Sequence, residues 1–190
     1  MQIITKETLF EKKEFYKQKI LQEQIFIYST DTIYGIGCNA LDANAIKKIR
    51  ELKQRDAKPF SVIAPNKIWI KENCVLNENA NKWIAKLPGP FTFILNLKNK
   101  NAIASEVNQG MTSLGVRIPN HWISDFVNYA GIPIITTSVN VSGQPFLVDL
   151  NELPDAIKQG VDFAIDSGIL DNKPSTLMDL TEKEEKIIQR

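Results

Sequence analysis

The chain has few of the residues that bind metals or form disulfides. Its 190 residues include one histidine, His121, and two cysteines, Cys38 and Cys74, which lie far apart in the sequence. The cysteines form neither a disulfide framework nor a zinc-ligand pattern. A mechanism that uses histidine both as a general base and as a metal ligand is therefore excluded. We expect His121 to cap or flank a helix that begins at Trp122.

The chain also lacks an excess of either charge and lacks long apolar runs. It carries 23 Lys and Arg residues against 22 Asp and Glu residues. This balance excludes a protein that coats nucleic acid by bulk electrostatics, but it allows a local basic pocket. No run approaches the roughly 18 to 20 apolar residues of a membrane span, and the charged N-terminal region has no signal-peptide core. With two unpaired thiols, these absences predict a cytoplasmic protein without a membrane segment.

Three familiar motifs are missing: the Walker phosphate loop, the glycine-rich dinucleotide motif and the nucleophile elbow of hydrolases. The nucleotide-binding and hydrolytic sites that depend on these motifs are therefore excluded. Two other features recur along the chain instead. Several strand-like segments end in hydroxyl groups, and one short stretch is rich in cations.

Apolar segments with β-forming residues alternate with helix-like segments along the chain. We find no Gly/Ser linker, internal repeat or shift in composition, so we predict an α/β protein with one domain over residues 1–190. The predicted strands are 25–28, 60–64, 91–97, 113–118, 132–136, 163–166 and 176–180. The predicted helices are 8–22, 43–52, with Asp42 as its N-cap, 79–87, 122–129 and 154–159.

Polar side chains follow, interrupt or precede four of these strands. They are Thr30, Asp31, Thr32 and Tyr34 after the first strand, Arg117 within the fourth, Ser138 and Asn140 after the fifth, and Ser175 before the last. Gly35 follows directly after the first of these groups. Hydroxyl groups at strand ends can bind a small polar ligand, and glycines there permit close approach. The same residues also satisfy backbone groups in tight turns. A buried Arg117 needs either an anionic ligand or a carboxylate of the protein, and the sequence leaves both open.

Six cations lie between Lys47 and Lys58. Lys53 and Arg55 lie beyond the apolar face of the predicted helix and just before a strand. We therefore predict that both reach a cleft at the edge of the sheet and bind phosphate. The earlier cations of this stretch, Lys47, Lys48 and Arg50, predict an ordinary solvated helix face.

Taken together and in this order, these segments resemble the YrdC/Sua5 family, the threonylcarbamoyl-AMP synthases, in the short form called TsaC. The matching stretches are 29–37, Lys53-Gln54-Arg55 with Lys58-Pro59, 115–119, 137–143, and Ser175-Thr176 before Asp179. The match covers roughly residues 25 to 180, and each stretch alone is a weak signal. The resemblance implies an α/β fold with a YrdC-like twisted mixed sheet and helices around a large concave cavity. It also implies no C-terminal domain of the Sua5 type.

The resemblance further implies that L-threonine, bicarbonate and ATP give threonylcarbamoyl-AMP and pyrophosphate, with Mg2+ carried by the nucleotide. Transferase proteins downstream would use this product for the t6A modification of tRNA, and a weak contact with tRNA is possible for this family. The implied threonine contacts are Thr32, Tyr34, Arg117, Ser138 and Ser175. The implied ATP contacts are Lys53, Arg55 and Lys58 at the triphosphate, and Ser113, Asn140 and Ser142. Among them, Lys53, Arg55 and Arg117 are the implied catalytic groups.

Two departures from the family pattern stand out. Ser29 replaces a proline that begins the first motif in many members, and a histidine found after the Lys-Pro segment of longer members is missing near Ile63. Two other functions remain open at this point. One is an RNA-binding or ribosome-assembly module, and the other is a carbamoyl-adenylate-forming domain related to hydrogenase maturation.

Overall fold

The computed structural model describes residues 1–55, 58–170 and 172–189. Within these ranges the chain forms ten strands and eight α-helices. The strands are β1 (Gln2–Thr5), β2 (Phe26–Tyr28), β3 (Gly35–Gly37), β4 (Ser61–Ile63), β5 (Phe91–Asn96), β6 (Ser113–Arg117), β7 (Ile134–Ser138), β8 (Phe163–Asp166), β9 (Thr176–Asp179) and β10 (Lys186–Ile188). The helices are α1 (Lys6–Glu11), α2 (Lys13–Leu21), α3 (Ala43–Lys53), α4 (Lys67–Asn73), α5 (Glu78–Ala85), α6 (Ser105–Asn108), α7 (Trp122–Ala130) and α8 (Asp155–Lys158).

These strands form one mixed sheet in the order β1-β8-β2-β3-β7-β4-β6-β5-β9-β10. Parallel pairs join β1 to β8, β8 to β2, β4 to β6 and β5 to β9, and the other neighbours are antiparallel. Strands from both halves of the sequence lie side by side in the middle of the sheet, since β3 and β4 flank β7. The predicted mixed α/β fold is confirmed.

Two apolar clusters lie on opposite faces of the sheet, because successive side chains of a strand point to opposite sides. Phe26 and Tyr28 of β2 pack into a cluster with α1, α2 and α7, whereas Ile27 joins a larger cluster with α3, α4 and α5. Helices α1, α2 and α7 cover one part of a face of the sheet. On the same face, β4, β6, β5 and β9 are not covered by any helix of the described residues. A concave surface with polar side chains results there.

The seven predicted strands all form, although their ends differ by one or two residues from the prediction. The prediction missed β1, β3, β10, α4 and α6. It was also wrong to treat residues 8–22 as one helix, because the chain breaks at Lys12 between α1 and α2. Gly35 and Gly37, which the sequence placed after the first strand in a ligand-binding stretch or a tight turn, form β3 between β2 and β7, and Gly35 lines the small cavity described below.

Helix α3 begins and ends as short-range signals dictate. Asp42 caps its N-terminus, and one carboxylate oxygen accepts hydrogen bonds from the N–H groups of Asn44 and Ala45, both at 3.0 Å. Gln54 ends the helix in the left-handed conformation, with φ of 48°. The helix therefore includes Lys53, which the sequence placed beyond it. In the residues described here, no helix is long and apolar enough to cross a membrane.

Candidate active site

Two adjoining cavities open on the concave face of the sheet. The larger has a volume of about 680 Å³ and the smaller about 30 Å³. Ser61, Thr136, Thr137 and Ser138 line both cavities, so the two form one continuous site. The larger volume lies within the roughly 300 to 1,000 Å³ of typical ligand sites. The smaller has room for little more than a water molecule.

The predicted site residues divide between these cavities in the way that the resemblance implies. The five predicted threonine contacts, Thr32, Tyr34, Arg117, Ser138 and Ser175, all line the small cavity. The six predicted ATP contacts, Lys53, Arg55, Lys58, Ser113, Asn140 and Ser142, all line the large one. Residues that are far apart in sequence thus lie together.

Arg117 is the buried cation of the small cavity. Its Nη2 donates to Oδ1 of Asp31 at 2.6 Å in an ion pair that is almost fully buried. The second oxygen of Asp31 accepts from the N–H of Asn120 at 2.9 Å, which fixes the carboxylate. Burial lowers the pKa of Arg117, and the charge of Asp31 opposes that effect. The carboxylate partner that the sequence left open is therefore present and is Asp31.

One nitrogen of this guanidinium has no partner in the part of the chain that the structure describes. Arg117 Nε is buried and makes no hydrogen bond to the described residues, and Thr32 Oγ1 lies 3.4 Å from both terminal nitrogens. An unpaired donor on a buried charge is costly. Arg117 lines the small cavity together with Thr32, so this part of the cavity is positively charged beside a hydroxyl group.

Hydroxyl groups form most of the remaining wall of the small cavity. Thr32 Oγ1 lies 2.9 Å from Thr30 Oγ1, and Ser175 Oγ lies 2.8 Å from Thr92 Oγ1. Both pairs are buried, and in each either hydroxyl can be the donor. Such rotatable groups can turn toward a ligand without moving the backbone.

Tyr34 is one of the residues that line the small cavity, and its hydroxyl fixes a neighbouring loop. The hydroxyl donates to the carbonyl of Gly168 at 2.7 Å and accepts from the N–H of Ser167 at 3.0 Å. Burial raises the pKa of Tyr34 to about 12, so the hydroxyl keeps its proton at neutral pH. Tyr34 therefore shapes this cavity and does not exchange a proton there.

Lys53 lies at the end of α3 and is only 1% exposed. Its ammonium donates to the carbonyl of Ser138 at 2.5 Å, to the carbonyl of Asn140 at 2.8 Å and to Asn140 Oδ1 at 2.9 Å. Burial, with a smaller contribution from the nearby charge of Arg55, lowers its pKa to about 7. Lys53 reaches the large cavity, as predicted, but its stem is packed and its ammonium holds the loop after β7.

Arg55 and Lys58 lie on the exposed rim of the large cavity. The Arg55 guanidinium donates to the carbonyl of Pro59 at 2.7 Å and stacks 5.1 Å from the centre of the Phe60 ring.

Arg50, by contrast, donates to the carbonyls of Glu106 and Lys58. It is therefore a structural residue and not part of a solvated face as the sequence predicted.

Sequence reasoning missed several residues of the site. Ser61, Thr92 and Thr136 line the small cavity, and each lies inside a strand or at its end. The signal that could have identified them is a polar side chain in an otherwise apolar strand, which is also the signal that identified Arg117. Asp31 was singled out as a residue, but its pairing with Arg117 joins two distant segments and has no local signal.

His121 occupies the N-cap position of α7, but its side chain makes no capping hydrogen bond. Its ring lies 5.3 Å from the Trp122 ring, and its buried Nδ1 has no partner among the described residues. The expectation that it flanks this helix is confirmed, and the alternative that it caps the helix is wrong. The described residues contain no group of three or more His, Cys, Asp or Glu side chains that could hold a metal ion.

The sequence matches the Sua5/YciO/YrdC family model, which is described as telomere recombination, over residues 18–190. A protein of Methanocaldococcus jannaschii, provisionally named as a threonylcarbamoyl-AMP synthase, is 37% identical over 178 residues, which cover 92% of this chain and 82% of that protein. The uncharacterized protein YciO of Escherichia coli is 28% identical over 162 residues, which cover 83% and 78% of the two chains.

The fold also matches the structure of Sua5 from P. abyssi in complex with L-threonine. The TM-score is 0.83 at 27% sequence identity, and the match covers 94% of this chain and 53% of that one. This chain therefore spans about half the length of that archaeal protein.

Proposed function

Because the chain belongs to the Sua5/YciO/YrdC family, we propose that it is an L-threonylcarbamoyladenylate synthase. It would convert L-threonine, bicarbonate and ATP into threonylcarbamoyl-AMP and pyrophosphate. The single observation that carries this proposal is the pair of cavities with a common wall. A buried arginine that is paired with Asp31 lines the small one, and cations line the large one.

The sizes of the cavities suggest how the substrates would lie. The small cavity cannot enclose a whole amino acid, so threonine would bind at its mouth with its carboxylate toward Arg117. Its amine would then lie near the wall of Ser61, Thr136 and Ser138 that both cavities share. ATP in the large cavity would place its α-phosphate on the other side of the same wall.

The reaction would proceed through a carbamate, which forms when the threonine amine bonds to the carbon of bicarbonate and one C–O bond breaks with loss of water. A carbamate oxygen attacks the α-phosphorus, the bond to the bridging oxygen breaks, and pyrophosphate leaves with the electron pair. The protein would contribute position and charge, since no covalent nucleophile is needed. Arg55 and Lys58 would neutralise the triphosphate, while Lys53 would hold the loop that carries Ser138 and Asn140.

Mg2+ would arrive with ATP and be coordinated by the phosphates. Asp179 is a carboxylate on the wall of the large cavity, but its Oδ1 already accepts from the N–H and the hydroxyl of Thr181. Since Asp179 is the one carboxylate among the described residues that line this cavity, most ligands of the ion would be phosphate oxygens and water.

We also propose a cytoplasmic location, which is supported by two free, buried cysteines, Cys38 and Cys74. The product would serve the transferase proteins that modify tRNA. A weak contact with tRNA stays a prediction, which a titration with tRNA at increasing salt concentration tests.

The decisive experiment measures pyrophosphate release with ATP, bicarbonate and L-threonine, and again with each substrate omitted. We expect release only in the complete mixture, together with threonylcarbamoyl-AMP identified by mass spectrometry. Release without threonine would contradict the proposal, and so would tight RNA binding without any release.

Two matched serine variants test the division between the cavities. Ser175→Ala should raise the KM for threonine about 3- to 10-fold, because one hydrogen bond contributes about 0.5 to 1.5 kcal/mol, and leave the KM for ATP unchanged. Ser142→Ala should have the opposite pattern. If either variant raised the KM for threonine and the KM for ATP by the same factor, the two cavities would not hold separate substrates.

A further inference from the structure

The C-terminal strand β10 borders the large cavity, although no motif of the sequence pointed to it. It pairs antiparallel with β9, so that Ile188 lies opposite Leu177 and Lys186 lies opposite Asp179. Leu177, Asp179 and Ile188 all line the cavity. One face of this edge strand is therefore part of the cavity wall.

The alternation of side chains separates the two isoleucines of β10. Ile187 lies opposite Met178, on the other face of the sheet from Ile188 and the cavity. It is 68% exposed, whereas Ile188 is 38% exposed. Both are apolar side chains with accessible surface, but only Ile188 can touch a molecule bound in the cavity.

The large cavity has a cationic side and an apolar side. Lys53, Arg55 and Lys58 lie at the end of α3 and before β4, whereas Ile94, Leu177 and Ile188 lie on β5, β9 and β10. Strand β9 is three strand positions from β4 in the sheet, which corresponds to about 14 Å at the usual spacing. A ligand that fills this space would carry anionic groups at one end and a flat or apolar group at the other.

We propose that β10 completes the nucleotide site and that Ile188, with Leu177 beside it, packs against the base of ATP. This inference rests on the proposed function and deepens it, since the triphosphate would occupy the cationic side. Covering Ile188 with a base removes apolar surface from water on both partners, which favours binding. The contact is apolar, so it would add affinity without reading the hydrogen-bonding edge of the base.

The test compares ATP with inorganic tripolyphosphate, which has the phosphates but no base. Equilibrium binding of each is measured by calorimetry for the full chain and for Ile188→Ser. We expect the Kd for ATP to rise about 5- to 10-fold, the effect of losing part of one buried apolar side chain. The Kd for tripolyphosphate should not change, and neither should the KM for threonine.

Ile187→Ser is the matched control, because it makes the same substitution on the adjacent residue of the same strand, on the face away from the cavity. It should bind both ligands like the unsubstituted chain. Ile188→Ala, which shortens the side chain without adding a polar group, should weaken ATP binding in the same direction as Ile188→Ser.

Equal ATP affinity in Ile188→Ser and the unsubstituted chain would overturn the inference, and so would an equal loss for ATP and tripolyphosphate. Pyrophosphate release is measured on the same unsubstituted protein. No release, combined with the expected loss of ATP binding in Ile188→Ser, would contradict the proposed reaction and leave the base contact standing.

Discussion

Two buried cations, Lys53 and Arg117, are stabilised in different ways. Arg117 pairs with the carboxylate of Asp31, so the pair is neutral. Among the described residues, the ammonium of Lys53 has only uncharged hydrogen-bond partners, namely two carbonyls and the amide oxygen of Asn140. Hydrogen bonds satisfy its three protons, but no negative charge offsets the loss of water. The lowered pKa of Lys53 is the consequence.

This lowered pKa predicts how the stability of the fold depends on pH. The pKa of Lys53 falls from its ordinary 10.5 to about 7 on folding. Between these values the unfolded chain binds more protons than the folded one, so the contribution of Lys53 to the free energy of unfolding rises with pH. The rise should be at most about 1.4 kcal/mol per pH unit.

Urea denaturation at pH 7 and at pH 9 measures this effect as the difference between the unsubstituted chain and Lys53→Met. The difference should shift in favour of the unsubstituted chain at pH 9. Lys48→Met, which removes an exposed lysine from the same helix, controls for the loss of one positive charge. A difference that is the same at both pH values would contradict the lowered pKa.

At the level of single elements, β3 shows how packing overrides a local signal. The sequence places Gly-Ile-Gly after a strand, in a ligand-binding stretch or a tight turn, yet Gly35–Gly37 forms a strand inside the sheet. A Cβ at Gly37 would overlap the carbonyl oxygen of Ile135 on the neighbouring strand, and a Cβ at Gly35 would lie 3.0 Å from the Tyr28 ring. The glycines therefore allow two strands and a buried ring to pack closely, and Gly37 does not serve ligand access.

Gly37→Ala should accordingly destabilise the protein by about 2 to 3 kcal/mol, because the added methyl group meets backbone that cannot move without breaking the pairing of β3 with β7. Urea denaturation monitored by circular dichroism measures this loss. Gly89→Ala is the control, since the nearest atoms to its Cβ belong to the Phe91 ring at 3.3 Å. Equal stability of Gly37→Ala and the unsubstituted chain would refute the packing argument.

The elements that the sequence predicted share a clear periodicity or a clear boundary. β6 alternates apolar and polar positions, and α3 has both a capping residue and an apolar stripe. β3 is three residues long with glycine at both ends, and β10 is a three-residue strand at the edge of the sheet that pairs with β9. Short edge or glycine-bearing strands carry too little local signal to be found in a single sequence.

At the scale of the whole molecule, the site is the concave face of the sheet. Its floor uses β7, β4, β6, β5, β9 and β10, which come from positions between residues 61 and 188. A nucleotide that spans this face would contact strands from distant parts of the chain. Binding should therefore stabilise the fold as a unit.

ATP at about 100 times its Kd should stabilise the folded chain by about 2.7 kcal/mol. For a protein of this size that corresponds to a rise in Tm of roughly 5 to 10 °C. Lys58→Glu, which reverses a charge on the cavity wall, should remove most of the shift. Lys98→Glu, at an exposed lysine outside the cavities, should retain it. A shift that persists unchanged in Lys58→Glu would place the triphosphate elsewhere.

The sequence by itself determined the α/β alternation and the set of polar residues at strand ends, because side-chain period, capping and turn signals act over a few residues. Only the tertiary structure decided which of these residues share a cavity, that Asp31 neutralises Arg117, that Lys53 is turned inward to the loop after β7, and that β10 forms a wall. Each of these depends on strand register between distant segments, and register is set by packing of the whole sheet.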